Sequence, residues 1–433
     1  MNNLKETTLP DICLKVTDGT HDSPKLQPAG IPFIKGKHIT GGYIDFNNCD
    51  FITYEDHLEV IKRSKAELGD ILFSNIGTVG STAIVNTNIE FSIKNIALFK
   101  PDKEKVDNRY LFYLVRSPFF QNSLLAKKSG VAQPFISLEM LRKHKFNFHS
   151  NKEFQKKISS ILSTYDDLIE NNTRRINILE EMAQRIYKEW FVDFKYPGHE
   201  NDKLVDSELG MIPEGWEVNN IGDFIQYHIG GGWGKEELSE EFDTSGYVIR
   251  GTDIPLAKYG SIIKCPYRYH KSSNMKSREL KTGDIVFEVS GGSKDQPLGR
   301  SLLVNSELLS SFDDKVMCAS FCKIIRPKAF SDFIYLHLLD IYDNRQIMKY
   351  QVQSTGISNF KFQVFLDNHK IICPNKIVLD DFTSRVSSLF SQIQILGKKN
   401  MILSQTRALL LPKLISGKID VSELDIDTSI LND

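Results

Sequence analysis

Between Phe154 and Trp190 the apolar residues Ile158, Ile161, Leu162, Tyr165, Leu168, Ile169, Ile176, Leu179, Met182, Ala183, Ile186 and Trp190 recur at steps alternating mostly between three and four. That is the period of a heptad seam and not of a strand. No Gly or Pro interrupts it, and the charged pairs Lys156/Lys157, Asp166/Asp167, Arg174/Arg175 and Glu180/Glu181 flank it on the side that would face water. The spacing predicts one continuous helix roughly 50 Å long. A lone seam of this kind leaves its apolar edge bare, so it requires a partner.

The chain itself supplies one. Adding 228 to each seam position takes Ile158 to Val386, Ile161 to Leu389, Tyr165 to Ile393, Leu168 to Leu396, Asn172 to Asn400, Met182 to Leu410 and Ile186 to Leu414. Arg175, falling on Leu403, and Leu179, falling on Arg407, break the match. A constant offset over so many positions marks an internal repeat. Both seams carry an Asn at their middle. In an antiparallel pair Asn172 and Asn400 meet at the centre, where a buried polar pair fixes register at some cost in stability.

The intervening sequence alternates differently. Residues 1–150 read as a compact, mostly β domain. Ile31-Pro32-Phe33-Ile34 runs into the basic turn Lys35-Gly36-Lys37-His38-Ile39-Thr40, and its Pro places it at a sheet edge or strand start rather than in a sheet centre. Leu68-Gly69-Asp70-Ile71-Leu72-Phe73-Ser74-Asn75 then reads as a turn and a buried strand, followed by a Gly-rich loop through Gly77 and Gly80. Residues 151–196 hold the first long helix, closed by Tyr196-Pro197-Gly198. A polar stretch, 197–212, reads as a linker at the start of a second domain spanning 197–375. That domain echoes the first: Tyr247 to Ile254 parallels Pro32 to Ile39, Thr282 to Phe287 parallels Leu68 to Phe73, Ser290-Gly291-Gly292 parallels Gly77 to Gly80, and Gly356 to Asn359 parallels Gly130 to Gln133. The second helix occupies 376–417, before an acidic tail at 418–433. The expected fold class is therefore α+β: two mostly β or mixed domains joined by two long helices in an antiparallel coiled coil, with an internal pseudo-two-fold repeat.

Composition narrows the function classes. A chain of 433 residues predicts two or more domains. It has no run of about 18 apolar residues and no basic-then-apolar start, so neither a membrane span nor a signal peptide is expected. Its six cysteines include one close pair, Cys318 and Cys322, with no His or second Cys pair to complete a zinc pattern. Reduced, scattered cysteines suit a cytoplasmic protein. The net charge of −1 argues against a chain coated in basic residues, but a local basic groove remains compatible with it.

Motifs for catalysis are missing. Gly230-Gly231-Gly232-Trp233-Gly234-Lys235 resembles a P-loop, yet Ile229 stands where the first Gly is required and Glu236 where the Ser or Thr is. There is no G-x-G-x-x-G after a strand, no H-E-x-x-H, no G-x-S-x-G, no metal-ligand set and no Asn/Asp-Pro-Pro-aromatic tetrapeptide of amino-methylating DNA enzymes. What recurs in both halves is a set of polar and basic residues on Gly-punctuated loops, the residue types that contact phosphates and base edges. The candidates for DNA contact are Lys35, Lys37, His38, Thr40, Asn75, Thr78 and Gln133 in the first half and Arg250, Thr252, Asp253, Ser290 and Lys294 in the second.

These features together resemble the DNA-specificity subunit of a type I restriction–modification system. The resemblance is carried by Asp18-Gly19-Thr20-His21, Leu68 to Phe73, Gly130-Val131-Ala132-Gln133-Pro134, Ile186-Tyr187-Lys188-Glu189-Trp190-Phe191, Leu209 to Trp216 and Leu410 to Gly417, in order on the duplicated frame. In the second half the Gln-Pro pair is lost, and the glycine run near Gly230 is the only counterpart of Asp18 to His21. The resemblance implies a non-catalytic subunit whose two target-recognition domains each read half of a split site in double-stranded DNA. It implies that the helices space those domains and dock two modification (methyltransferase) subunits. S-adenosylmethionine, ATP and magnesium would then belong to those and to the restriction (translocase/nuclease) subunits, with no cofactor on this chain. Two other readings compete: a stand-alone DNA methyltransferase or nuclease with fused recognition domains, and a coiled-coil scaffold that binds only protein. The absent cofactor motifs oppose the former, and the duplicated loop chemistry opposes the latter.

Overall fold

The computed structural model describes residues 4–77, 79–126, 135–291, 296–354 and 357–428; the candidates Thr78, Gln133 and Lys294 and the loop Gly130 to Pro134 lie outside these. The chain divides into two compact units. Unit 1 comprises Met1–Leu168 with Leu403–Asp433, and unit 2 comprises Ile169–Ile402. The division falls inside both long helices, Lys152–Phe191 and Lys376–Ile415, each of 40 residues.

Unit 1 is built on a four-stranded antiparallel sheet of β1 (Cys13–Asp18), β2 (Ile71–Ser74), β3 (Thr82–Ile84) and β4 (Ile96–Pro101), in the order β1-β4-β2-β3. All four residues of β2 are buried, so the run Ile71 to Ser74 is a central strand covered on both faces. A second sheet places Ile31–Lys35 between Asp50–Ile52, antiparallel, and Ser92–Lys94, parallel. Leu4–Thr7 pairs with Phe146–His149 to close the unit. Helices Tyr54–Ser64, Asn108–Arg116, Pro118–Leu125 and Leu138–Lys143 make it mixed rather than mostly β. All four start on a Thr, Asp or Ser whose side chain accepts the N–H three residues on: Thr53 from Asp56, Asp107 from Tyr110, Ser117 from Phe120 and Ser137 from Met140.

Unit 2 repeats this plan strand for strand. Its strands β5 (Ile225–Gly230), β6 (Ile285–Glu288), β7 (Ser301–Leu303) and β8 (Cys322–Pro327) take the order β5-β8-β6-β7, again antiparallel. Thr244–Ile249 lies between Tyr267–His270, antiparallel, and Val316–Cys318, parallel. Glu217–Asn220 pairs with Lys370–Cys373, matching the closing pair of unit 1.

Within each unit the helix segments run antiparallel. In unit 1 Ile158 and Leu162 share a core with Leu414 and Ile415, beneath Tyr110, Phe120 and Phe146. Arg407, which breaks the apolar repeat, forms an ion pair with Asp166, and that carboxylate also accepts from the Tyr113 hydroxyl at 2.5 Å. In unit 2 Tyr187, Trp190 and Phe191 pack against Phe382 and Phe333. The Asn pair meets as the heptad pattern requires: Asn172 Nδ2 donates to Asn400 Oδ1 at 2.9 Å, and Asn400 Nδ2 donates to the Ile169 carbonyl and the Thr173 hydroxyl. Of the other seam positions, Val386 and Ile393 are buried, and Leu179 and Ile186 are partly buried against the same core. Leu410 packs partly buried in unit 1 and Tyr165 is half-buried.

Four expectations need correction. Leu168 and Met182, read as seam positions, are exposed, because the apolar stripe is wider than the contact it feeds. The strand carrying Pro32 is the middle strand of its sheet and not an edge; Pro32 is tolerated there as its second residue, at the strand start. The stretch 197–212 is no featureless linker, since Leu204–Ser207 and Gly210–Pro213 form a hairpin. The first helix stops at Phe191, short of Pro197, and Phe194 turns the chain in the left-handed region.

Candidate nucleic-acid interface

The candidates gather on equivalent turns of the two units. After the middle strand of the second sheet in unit 1, the chain makes a tight turn at Gly36–His38. There the Lys35 N–H donates to His38 Nδ1 at 3.0 Å. In unit 2 the Arg250 N–H donates to Asp253 Oδ2 at 2.9 Å. His38 and Asp253 are both 2 % exposed and both close their turn with a side chain three residues on. Both side chains are buried and shape their turns. Lys35 pairs with Asp50 at 2.7 Å and holds that carboxyl below its usual range. Arg250 binds Asp253 through Nε and Nη2, both at 2.8 Å. Lys37, Thr40 and Thr252 are the exposed members of the two turns.

The strands β2 and β6 are fixed by matched acid–base anchors. Asp70 Oδ2 accepts the Glu67 N–H at 2.8 Å and Lys100 Nζ at 2.6 Å. Asp284 Oδ2 accepts the Lys281 N–H at 2.8 Å, and Arg326 grips the carboxylate with Nε at 2.6 Å and Nη2 at 2.7 Å. This explains the repeated Gly-Asp-Ile pattern: the Asp closes the turn entering each central strand and neutralises a cation on the neighbouring strand. Burial raises the Asp70 carboxyl above its ordinary value even against Lys100.

Beyond each central strand, Asn75 and Ser290 brace later segments. Asn75 is buried; its side chain donates to the Ile136 carbonyl at 3.2 Å, and its Oδ1 has no partner among the described residues. Ser290 Oγ donates to Asn359 Oδ1 at 2.9 Å, within a small sheet of Ser290–Gly291, Ile357–Phe360 and Gln351–Ser354. Each central strand is thus followed by a bracing contact to a later segment of its unit.

The glycine run that failed as a P-loop has a structural counterpart in Asp18 to His21. A Cβ on Gly19 would sit 2.2 Å from the Ile93 carbonyl, and one on Gly231 would sit 2.2 Å from that of Cys318. Only Gly lets either loop lie so close to the neighbouring strand. Beyond each such glycine, an exposed ring stands out: His21, bonded to Asp18 at 3.0 Å and Asn95 at 2.9 Å, and Trp233, with Arg268 stacked 4.7 Å from its ring centre. Arg268 also pairs with Glu236 at 2.7 Å. The Trp233–Arg268 stack was not among the candidates, because the residues are 35 positions apart and only the sheet unites them. Among the described residues no three His, Cys, Asp or Glu side chains are placed to hold a metal ion, and no helix is long and apolar enough to cross a membrane.

Residues 1–181 match the family described as type I restriction modification DNA specificity domain. The chain as a whole is a relative of type I restriction enzyme specificity subunits. It is 29% identical over 366 residues to the MjaIX specificity subunit of Methanocaldococcus jannaschii, covering 82% of this chain and 79% of the relative. The HindI specificity subunit of Haemophilus influenzae is 23% identical over 451 residues, covering 86% of this chain and 91% of that one. The fold is that of the crystallised type I restriction–modification S subunit from M. genitalium, at a TM-score of 0.57 and 16% identity over 96% of both chains. Beyond residue 181, unit 2 repeats the strand order of the main sheet of unit 1.

Proposed function

We propose that this chain is the non-catalytic DNA-specificity subunit of a type I restriction–modification complex, each recognition region reading one half of a bipartite DNA site. The observation that carries this reading is the strand-for-strand repetition of a specificity-domain plan in the two units. Exposed polar residues of the equivalent turns, Lys37 and Thr40 in unit 1 and Thr252 in unit 2, with the Trp233–Arg268 stack, are the residues assigned to DNA contact. Phosphate contacts position and base-edge contacts specify. The long helices set the distance between half-sites and dock two methyltransferase subunits, and the exposed Ile178, Met182, Ile395 and Ile402 on them suit a protein partner. S-adenosylmethionine serves the methyltransferase subunits, while ATP and magnesium serve the restriction subunits. The complex works in the cytoplasm.

Co-expression with the modification subunits, followed by mapping of methylated adenines, tests this. A bipartite methylated sequence is expected, and methylation without a two-part motif contradicts the reading. With a net charge of −1, the chain alone is expected to bind DNA weakly and to gain affinity with its partners. Equal affinity with and without them at one salt concentration contradicts that expectation.

A further inference from the structure

Gly397 is the one glycine in either long helix. A glycine in a helix interior costs about 1 kcal/mol relative to Ala, so its presence asks for a reason. The reason is on the adjoining face. The carbonyl of Tyr259 lies where a side chain would start: a Cβ on Gly397 would sit 1.8 Å from that oxygen and 2.5 Å from its carbon. The approach is mutual. Gly260, at φ +74°, presses on the helix backbone, its own Cβ position lying 2.9 Å from the Gln394 carbonyl and 3.0 Å from the Lys398 nitrogen. Backbone meets backbone here, with no side chain between.

Four further contacts lock the same loop. Gln394, one turn before Gly397 and 5 % exposed, donates through Nε2 to the Ala257 carbonyl at 3.2 Å and the Lys258 carbonyl at 3.0 Å, capping the short helix Ile254–Ala257. From the other long helix, Glu180 accepts the Tyr259 hydroxyl at 2.5 Å and forms an ion pair with Lys258. The loop therefore grips both helices, within unit 2, less than one turn along the helix from Asn400, whose bond to Asn172 fixes the helix register. That loop follows directly from the Arg250–Asp253 turn that carries Thr252.

We infer that Gly397 is a positioning residue for site recognition: the Gly397–Gly260 seat fixes where the unit 2 recognition region sits along the helix pair, and so the half-site spacing the complex accepts. This rests on the proposed DNA-specificity function. B-DNA rises about 3.4 Å per base pair, so a seat displaced by a side chain's width moves the region by a sizeable part of one step.

The test uses the full chain assembled with its modification subunits on DNA libraries that keep both half-sites and vary the spacer by one base pair either way. Gly397→Ala is expected to lower the preference for the native spacer over its neighbours by about tenfold, on the scale at which small misplacements cost activity. Both half-site sequences should stay unchanged. A second variant, Lys258→Met with Tyr259→Phe, leaves the glycines intact, removes the Glu180 contacts and is expected to relax the spacer preference in the same direction by a smaller factor. If Gly397→Ala does not fold, this second variant decides. A lower melting temperature with the spacer preference retained in the folded variants would overturn the inference, since a merely structural glycine would behave so. Absence of any bipartite methylation by the unaltered complex would instead defeat the functional reading on which the inference rests.

Discussion

In unit 1 the apolar packing of Ile158 and Leu162 with Leu414 and Ile415 is joined by an ion pair between the two helix segments. Asp166 of the first helix binds Arg407 of the second and the Tyr113 hydroxyl of helix Asn108–Arg116. In unit 2 the equivalent work is done by close backbone approach at Gly397, by Glu180 reaching out to a loop, and by an aromatic cluster of Tyr187, Trp190, Phe191, Phe333 and Phe382. Strand order, the parallel and antiparallel pairings and the Asp-closed turns are the same in both. The comparison teaches which parts of the duplicated module are fixed and which are free. The frame that carries the recognition loops has been kept, while the means of seating it on the helices has diverged.

The largest expected effect separates the two Asp anchors. Asp284 is fully buried and held bidentately by Arg326, so Asp284→Ala leaves a guanidinium without its carboxylate and should cost about 3–5 kcal/mol. Asp70 is met by the single ammonium of Lys100, which Glu67 also contacts at 2.9 Å, so Asp70→Ala should cost about 1–3 kcal/mol. All three tryptophans, Trp190, Trp216 and Trp233, lie in unit 2. Tryptophan fluorescence in urea therefore follows unit 2 alone, while far-ultraviolet dichroism follows both. Equal losses for the two variants would mean the anchors are equivalent after all.

Burial lowers His38, His57 and His149 in unit 1, yet a pH effect from buried imidazoles should be largest in unit 2. There a buried chain of hydrogen bonds runs from Tyr187 through His337 and His369 to Tyr350, with separations of 2.8, 2.8 and 3.2 Å. Burial lowers His337 to about 3, with His369 and Lys349 adding to it, and lowers His369 to about 4, with Lys349 adding to it. The folded unit thus takes up fewer protons than the unfolded chain below the ordinary imidazole value near 6.5. The stabilisation is complete above pH 6.5 and is lost as pH falls from there toward 4, by about 1 kcal/mol per pH unit for each imidazole. Fluorescence-monitored urea midpoints at pH 7.5 and 5.5 check this, and a midpoint that rises on acidification contradicts it.

Smaller effects concern the seam. Arg407→Ala strands Asp166 in unit 1 and should cost about 1–3 kcal/mol, whereas Arg407→Leu combined with Asp166→Leu should be close to neutral. Urea unfolding followed by dichroism reads both, and a double variant as unstable as the single one counts against a compensated pair. Replacing Asn172 and Asn400 together by Leu should raise stability by up to about 1 kcal/mol and loosen register. A drop in the melting temperature of that variant would show that the Asn pair stabilises outright.

Much of this frame was legible in the sequence. The heptad period placed the first helix, and the offset of 228 placed its partner and the Asn172–Asn400 contact, because a seam's partners are set by periodicity alone. The echo of Leu68 to Phe73 in Thr282 to Phe287 marked the equivalent central strands. What was hidden depends on distant neighbours. His38 and Asp253 read as candidates for DNA contact, and their turn-closing bonds to backbone N–H groups show only in the structure. Arg407 read as a flaw in the seam until Asp166 appears opposite. Trp233 and Arg268 meet only through strand pairing. The tail was expected to be a short acidic segment, yet Val421 is fully buried in unit 1 and Lys157 donates to the Ser422 carbonyl at 2.6 Å. No local pattern announces such a contact.

The central claim, that two recognition regions read two half-sites independently, has one direct measurement. Residues 1–150 are replaced by the same region of a relative with a different known site, the variant is assembled with its modification subunits, and methylated adenines are mapped. The account predicts a changed first half-site with the second half-site and the spacer retained. A change in both half-sites would contradict it.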